Sequence, residues 1–265
     1  MYEVERQLTL NEVQWHCRQR GEQPQLVLLH GFGGDLRTWD SLLPWLPDTL
    51  PTLRYDMREF GQSRALFPEK SYSHADDLLA LLDAFAIERC CLLGSSMGGA
   101  TALHAALNHP DRVSGLILIS PGMVAWEWSE SWRQLWRLMT DAARQGDLDK
   151  ARQLWWQHPL FESTRNSAAA QSLHEAVQRF DGRQWVQDPQ RYSLPDMERL
   201  HTLQPPTLLL SGALDLPDFQ LIADVLEATV PRLQRRTVQD AGHMLHLEQP
   251  QVCAVAVRDF LQSLV

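Results

Sequence analysis

The chain contains no run of about 18 apolar residues, the length that a membrane-crossing helix needs. Its opening residues, Met1-Tyr2-Glu3-Val4-Glu5-Arg6, are charged and lack the apolar centre of a signal peptide. Cysteine is scarce. Cys17, Cys90, Cys91 and Cys253 are the four present, and none has metal-ligand spacing. Without a secretory context a disulfide framework is disfavoured, and reduced, buried thiols in a cytoplasmic protein are expected. Neither a phosphate-binding Gly-Lys-Ser/Thr nor a dinucleotide fingerprint occurs. Internal repeats and low-complexity tracts are missing too. There is no surplus of positive charge. The formal net charge is -9 with acids and bases mixed, so nucleic acid is not an expected partner.

What remains is ample for a core. With 265 residues, 44% of them hydrophobic, the chain suits one large α/β domain or such a domain with an insertion. Residues 2–18 alternate apolar and polar, as in a hairpin open to water on one face. Leu26 to Leu29, Thr52 to Tyr55, Cys90 to Leu93 and Val113 to Ile119 read as short buried strands. Helical segments are expected at 36–46 and from His74 to Phe85. From Met123 to Gln204 the pattern turns helical and polar-aromatic. Strand signals return at 207–211 and 233–238, and a terminal helix is expected from about Gln249 to Leu264. The reading is an α/β fold built on a mostly parallel, doubly wound sheet. Residues 1–122 and 205–265 would form its core, with 123–204 as a helical cap inserted between two strands.

The pentapeptide Gly94-Ser95-Ser96-Met97-Gly98 sits between the strand ending at Leu93 and an Ala/Leu-rich helix. A serine on such a strand-to-helix turn is a nucleophile elbow, and the small residues let strand and helix backbones approach. A serine hydroxyl is scarcely ionised at neutral pH and needs a base. The base in turn needs a carboxylate to fix its tautomer. Asp215, just past the strand at 207–211, and His243, just past 233–238, supply these roles in the order Ser, acid, His. All three lie beyond carboxyl ends of strands, where the chemistry of parallel sheets gathers. Asp218 is the main rival for the acid and His246 the rival for the base; Asp240 reads as a turn residue. His104 and His109 read as structural, while His158, His174 and His201 belong to the insertion. For the oxyanion, the backbone N–H groups of Met97 and of Phe32, in His30-Gly31-Phe32-Gly33, are the candidate donors.

These motifs together resemble the α/β-hydrolase superfamily. The resemblance covers residue 8 to the end, loosely through the insertion, and implies a serine nucleophile with no metal or organic cofactor. Ser96 argues against haloalkane dehalogenases and epoxide hydrolases, which place Asp at the elbow. The run Gly98-Gly99-Ala100-Thr101-Ala102-Leu103 is similar to carbon–carbon bond hydrolases, although those usually carry Asn where Ser95 stands. His30 to Asp35, Trp39 and Trp155 to Phe161 are similar to the menaquinone-pathway synthase, although that family typically has Arg where Ala100 stands. Enol-lactonases and broad esterases share the rest. One departure is in Asp56-Met57-Arg58-Glu59-Phe60-Gly61-Gln62-Ser63. Glu59 replaces a glycine common in relatives, and a local backbone change at an exposed turn is expected.

Seven of the ten tryptophans fall in the insertion. Trp128, Trp132 and Trp136 share one helix face, serving either packing or a substrate roof. Trp126, Trp155 and Trp156 are the candidate substrate-binding residues, although Trp155 and Trp156 cannot face the same side of a helix. Arg133, Arg137, Arg144, Arg152, Arg165 and Arg179 of the insertion are solvated or, facing the cleft, would hold a substrate carboxylate. The expected partner is a small molecule with an apolar or aromatic portion. No membrane contact is expected, and the oligomeric state stays open.

Overall fold

A computed structural model describes residues 2–264. One nine-stranded sheet organises them. Its strands are β1 (Glu3–Leu10), β2 (Val13–Arg20), β3 (Leu26–Leu29), β4 (Thr52–Tyr55), β5 (Arg64–Ala65), β6 (Cys90–Ser95), β7 (Val113–Ile119), β8 (Thr207–Gly212) and β9 (Leu233–Val238). The order is β1-β2-β4-β3-β6-β7-β8-β9, with β5 beside β2. Pairing is antiparallel from β1 to β4 and parallel from β4 to β9. The hairpin turns at Asn11 and Glu12, both at positive φ, the backbone twist that tight hairpins require.

The helices are α1 (His74–Ala84), α2 (Met97–Asn108), α3 (Glu130–Arg144), α4 (Leu148–Gln157), α5 (Glu162–Arg165), α6 (Ala170–Arg179), α7 (Arg183–Val186), α8 (Pro217–Thr229), α9 (Leu245–Glu248) and α10 (Pro250–Ser263). The central strands are buried on both sides, which explains their uninterrupted apolar runs. Val27, Leu29, Leu92, Leu116 and Leu118 face a core shared with α1, α2 and α8. Their neighbours Leu26, Leu28, Leu93, Ile117 and Ile119 face a second core closed by Trp39, Leu42 and α10. Elements α3 to α7 occupy the chain between β7 and β8.

One helical expectation needed correction. The helix at 36–46 is a pair of 3-10 turns, Leu36–Trp39 and Leu43–Trp45; Pro44 lacks the N–H that a continuous helix needs. The terminal helix runs as expected, as α10 from Pro250 to Ser263; a short preceding turn, α9, is separated from it at Gln249, where the residue before proline leaves the helical region.

Glu59 also differs from expectation. It keeps the left-handed conformation that a glycine would favour, with φ 64, and it is buried. Its Oε1 accepts the Ala65 N–H at 2.5 Å, its Oε2 accepts Arg183 at 3.1 Å, and its carbonyl accepts the Gln184 side chain at 2.7 Å. Backbone strain of about 1–2 kcal/mol is offset by these bonds, and the last two tie α7 to the core.

A buried charged cluster anchors the hairpin. His16 Nδ1 lies 2.7 Å from Asp56 and its Nε2 lies 2.9 Å from Glu5. Asp56 also accepts the N–H groups of Leu36 and Gln62. The hydrogen bond to Asp56 raises the His16 pKa above its ordinary value, with Glu5 adding to it against the opposing effect of burial. In the unfolded chain His16 loses its proton near pH 6.5; in the fold it holds that proton to higher pH. The stabilisation is therefore complete below about pH 6.5 and disappears as pH rises through the elevated value. Urea midpoints measured from pH 6 to 9 should fall with pH, and His16→Gln should flatten that slope. An equal slope in both proteins would remove His16 as the cause.

Candidate active site

Ser96 is held at φ 53 and ψ -117 between β6 and α2. Non-glycine residues pay for such a conformation with strain of about 1–3 kcal/mol. The surrounding glycines explain how the turn closes. A Cβ on Gly94 would stand 2.3 Å from the Gly98 carbonyl oxygen, and one on Gly98 would stand 2.2 Å from that of Leu29. Strand, elbow and helix are in backbone contact, so no side chain fits between them.

His243 lies in the loop after β9 and Asp215 in the loop after β8. His243 Nδ1 is 3.2 and 3.1 Å from the two Asp215 oxygens, and both side chains are buried. Asp215 also accepts the Leu216 N–H at 2.8 Å. His243 Nε2 is buried without a hydrogen-bond partner. Ser96 and His243 line the same cavity, of about 570 Å³.

The rivals are engaged elsewhere. Asp218 accepts both the N–H and the hydroxyl of Ser129, at 2.9 and 2.6 Å, and so fastens the start of α3 to α8. His246 is buried against Trp39, and burial depresses its pKa to about 3, far below the range useful to a base at neutral pH. His104 is bonded to Asp196 at 2.6 Å. All four cysteines are free and buried. Burial raises Cys17, Cys90 and Cys253 to about 12, so none offers a thiolate.

Phe32 and Met97 both border this cavity. Met97 opens α2, and the first amides of a helix have no intrahelical acceptor. The Phe32 loop is fixed by His30, whose Nδ1 donates to the Gly31 carbonyl at 2.8 Å while its Nε2 accepts the Met57 N–H at 2.9 Å. Gly31 brings the loop close enough that a Cβ there would be 3.2 Å from that of Ser96. The Phe32 ring is clasped edge-on by Phe60, Trp136, Trp155 and Phe180, at centroid separations of 4.8–5.8 Å. Such contacts prefer this geometry and restrain the ring.

Trp126 and Trp155 line the cavity. Trp156 does not: its ring packs on His174 at 5.1 Å and under Arg165 at 6.0 Å. Adjacent helical residues diverge by about 100°, and Trp155 takes the inward side. The helix-face trio supplies the wall instead. Trp128 stacks on Trp132 at 4.6 Å, Trp132 on Trp136 at 6.4 Å, and Phe219 connects the stack to His243 at 4.2 Å.

Four arginines also border the cavity: Arg37, Arg133, Arg137 and Arg179. Arg37 is bidentate on Asp35, and Arg179 approaches the same carboxylate at 3.5 Å. Arg133 and Arg137 share Glu130. Arg133 also lies 3.9 Å from Glu127 and Arg179 lies 3.7 Å from Glu175, so the four guanidiniums are matched by four carboxylates. Sequence reasoning named three of these arginines only as undecided and missed Arg37, Phe219 and Glu248. Glu248 accepts the Gly242 N–H at 2.8 Å and the hydroxyls of Ser163 and Thr164 at 2.6 Å each, binding the His243 loop to α5. No helix among the described residues is long and apolar enough to cross a membrane.

Residues 24–250 match the family model described as the alpha/beta hydrolase fold. The 2-succinyl-6-hydroxy-2,4-cyclohexadiene-1-carboxylate synthase of Pectobacterium atrosepticum is 32% identical over 262 residues, covering 90% of this chain and 94% of that one. The pimeloyl-[acyl-carrier protein] methyl ester esterase of Edwardsiella ictaluri is 41% identical over 106 residues, covering 40% of this chain and 39% of that one. Among solved structures, carboxylesterase CesB from Bacillus subtilis superposes with a TM-score of 0.82 at 21% identity, covering 99% of this chain and 93% of that one. This last likeness is one of fold.

Proposed function

Because the chain belongs to the α/β-hydrolase family, we propose that it hydrolyses a small or medium carboxylic ester, thioester or lactone with an apolar portion, through an acyl-enzyme on Ser96. The observation that carries this reading is the state of His243. One ring nitrogen is held by the Asp215 carboxylate, and the other is buried, without a partner, on the cavity that Ser96 borders.

In this reading Asp215 accepts the Nδ1–H, so the lone pair of Nε2 is available to take the Ser96 proton. Ser96 Oγ attacks the carbonyl carbon. The carbonyl π electrons pass to oxygen, which the Phe32 and Met97 N–H groups hold; a donor of this kind is worth about 10²–10³-fold in rate. Collapse expels the leaving group, which takes the proton from His243. Water then attacks the acyl-enzyme with His243 again as base, and the acid is released with Ser96 restored. The indole wall accommodates the apolar portion of the substrate.

A second reading rests on the four arginines of the rim. They favour a substrate that bears carboxylates, as expected if the same three residues perform carbon–carbon cleavage or elimination on an acidic conjugated substrate. The name of the Pectobacterium relative points the same way. Ala100 stands against it, since that synthase family typically carries Arg there.

A chain-length series of p-nitrophenyl esters, with Ser96→Ala as control, tests the first reading. Serine-dependent release with a chain-length optimum is the expected outcome. No release, with intact labelling of Ser96 by a fluorophosphonate, would move the assignment to conjugated keto acids. Failure of esters, keto acids and labelling together would overturn both.

A further inference from the structure

A second cavity, of about 470 Å³, opens between α7, the turn joining α3 to α4, and the loop that ends at Tyr72. Its polar lining is dominated by acceptors. Two of its carboxylates are already neutralised: Arg183 reaches Glu59 at 3.1 Å and Asp181 at 3.2 Å, and Arg64 adds a 3.0 Å contact to Asp181. Asp188 differs. Its Oδ1 accepts the Tyr72 hydroxyl at 2.7 Å, and it forms no ion pair among the described residues. Gln184 is 6% exposed. Its Nε2 donates to the Glu59 carbonyl at 2.7 Å, which fixes the orientation of the amide, and its Oε1 is buried without any partner. Buried polar atoms are almost always satisfied, and an orphaned acceptor on a cavity wall marks a place for a donor.

We propose that this cavity is a second ligand site and that it takes a small alkylamine as its ammonium ion. An ammonium carries three N–H donors. Asp188 offers the counter-charge and Gln184 Oε1 a second acceptor. The Tyr72 oxygen, whose own proton is engaged by Asp188, offers a third. Leu148, Val186 and Pro189 surround the remaining space and suit the alkyl chain. An anion is disfavoured, because Arg183, the cation lining this cavity, already serves two carboxylates. Asp188 also borders the larger cavity, so a bound ammonium lies at the wall between the two. The inference does not depend on the chemistry assigned to Ser96.

The test is calorimetric titration of the full chain at neutral pH with 1-pentylamine, 1-pentanol and pentanoate as separate probes. Pentylamine should bind at least tenfold more tightly than either of the others. Asp188→Asn and Gln184→Met should each weaken it at least tenfold. Gln184→Met also removes a bond to Glu59, so it is read only if its urea midpoint shows a folded protein. Asp188→Asn is nearly isosteric, keeps an acceptor for Tyr72, and carries the test alone if the other variant does not fold. Pentylamine binding no tighter than pentanol, or unchanged by Asp188→Asn, would overturn the proposal.

Discussion

Asp215→Asn should lower kcat on the best ester by about 10³–10⁴-fold while leaving the protein folded, as expected when the base is locked in its wrong tautomer. The carboxylate of Asp215 faces His243 Nδ1 with both oxygens, at 3.2 and 3.1 Å, so Nδ1 must carry the proton and Nε2 must be the acceptor. An Asn at this position keeps the size and can still receive the Leu216 N–H. It also presents an amide N–H₂ to the ring, and a ring that accepts that donor moves its own proton to Nε2. Ser96 then has no base. The companion variant Asp218→Asn should leave kcat within about threefold, because that carboxylate binds Ser129 on α3 rather than the imidazole. Urea midpoints keep the comparison to folded proteins. A tenfold or smaller loss in Asp215→Asn would assign the orienting carboxylate elsewhere.

The contrast between the two aspartates shows what the sequence can and cannot convey. Both lie within a few residues of the end of β8, and only their distance from the strand favoured Asp215. The parallel strands were legible because burial on both faces leaves unbroken apolar runs, and the elbow was legible because backbone contact at Gly94 and Gly98 demands small residues. The cavity wall was not. The face shared by Trp128, Trp132 and Trp136 reads only as packing or roof, and Phe219 and Arg37 come from other elements that meet it only in the folded chain, so no periodicity within one element records that meeting. Trp156 was misjudged for the opposite reason. Its composition suits a pocket, but a difference of one residue along α4 turns it outward. Glu59 shows a third limit. A glutamate at a left-handed position reads as an exposed turn, and two of its three bonds depend on α7, more than 120 residues downstream.

Backbone contact also sets the largest effect on stability. Gly212 ends β8 immediately before the Asp215 loop, and a Cβ there would lie 2.1 Å from the Gly242 carbonyl oxygen and 2.5 Å from that of Ala241. Neither obstacle is a flexible side chain that can rotate away. Both belong to the loop that carries His243, so relief requires separating the two loops that hold Asp215 and His243 together. Gly212→Ala should therefore cost at least about 4 kcal/mol, a size reserved for changes that the structure cannot absorb, and lower the melting temperature by about 8 °C or more for a domain of this size. Any folded fraction should have lost activity beyond its loss of stability, because the aspartate–histidine contact is what must open. Gly122 provides the control. A Cβ there would find its nearest neighbour, the Ala100 Cβ, at 3.7 Å, an ordinary contact, although Gly122 also borders the cavity that Ser96 and His243 line. Gly122→Ala should change stability by less than about 1 kcal/mol. If Gly212→Ala melts within a few degrees of the parent chain, the β8 and β9 loops are not in the close contact on which the site geometry depends.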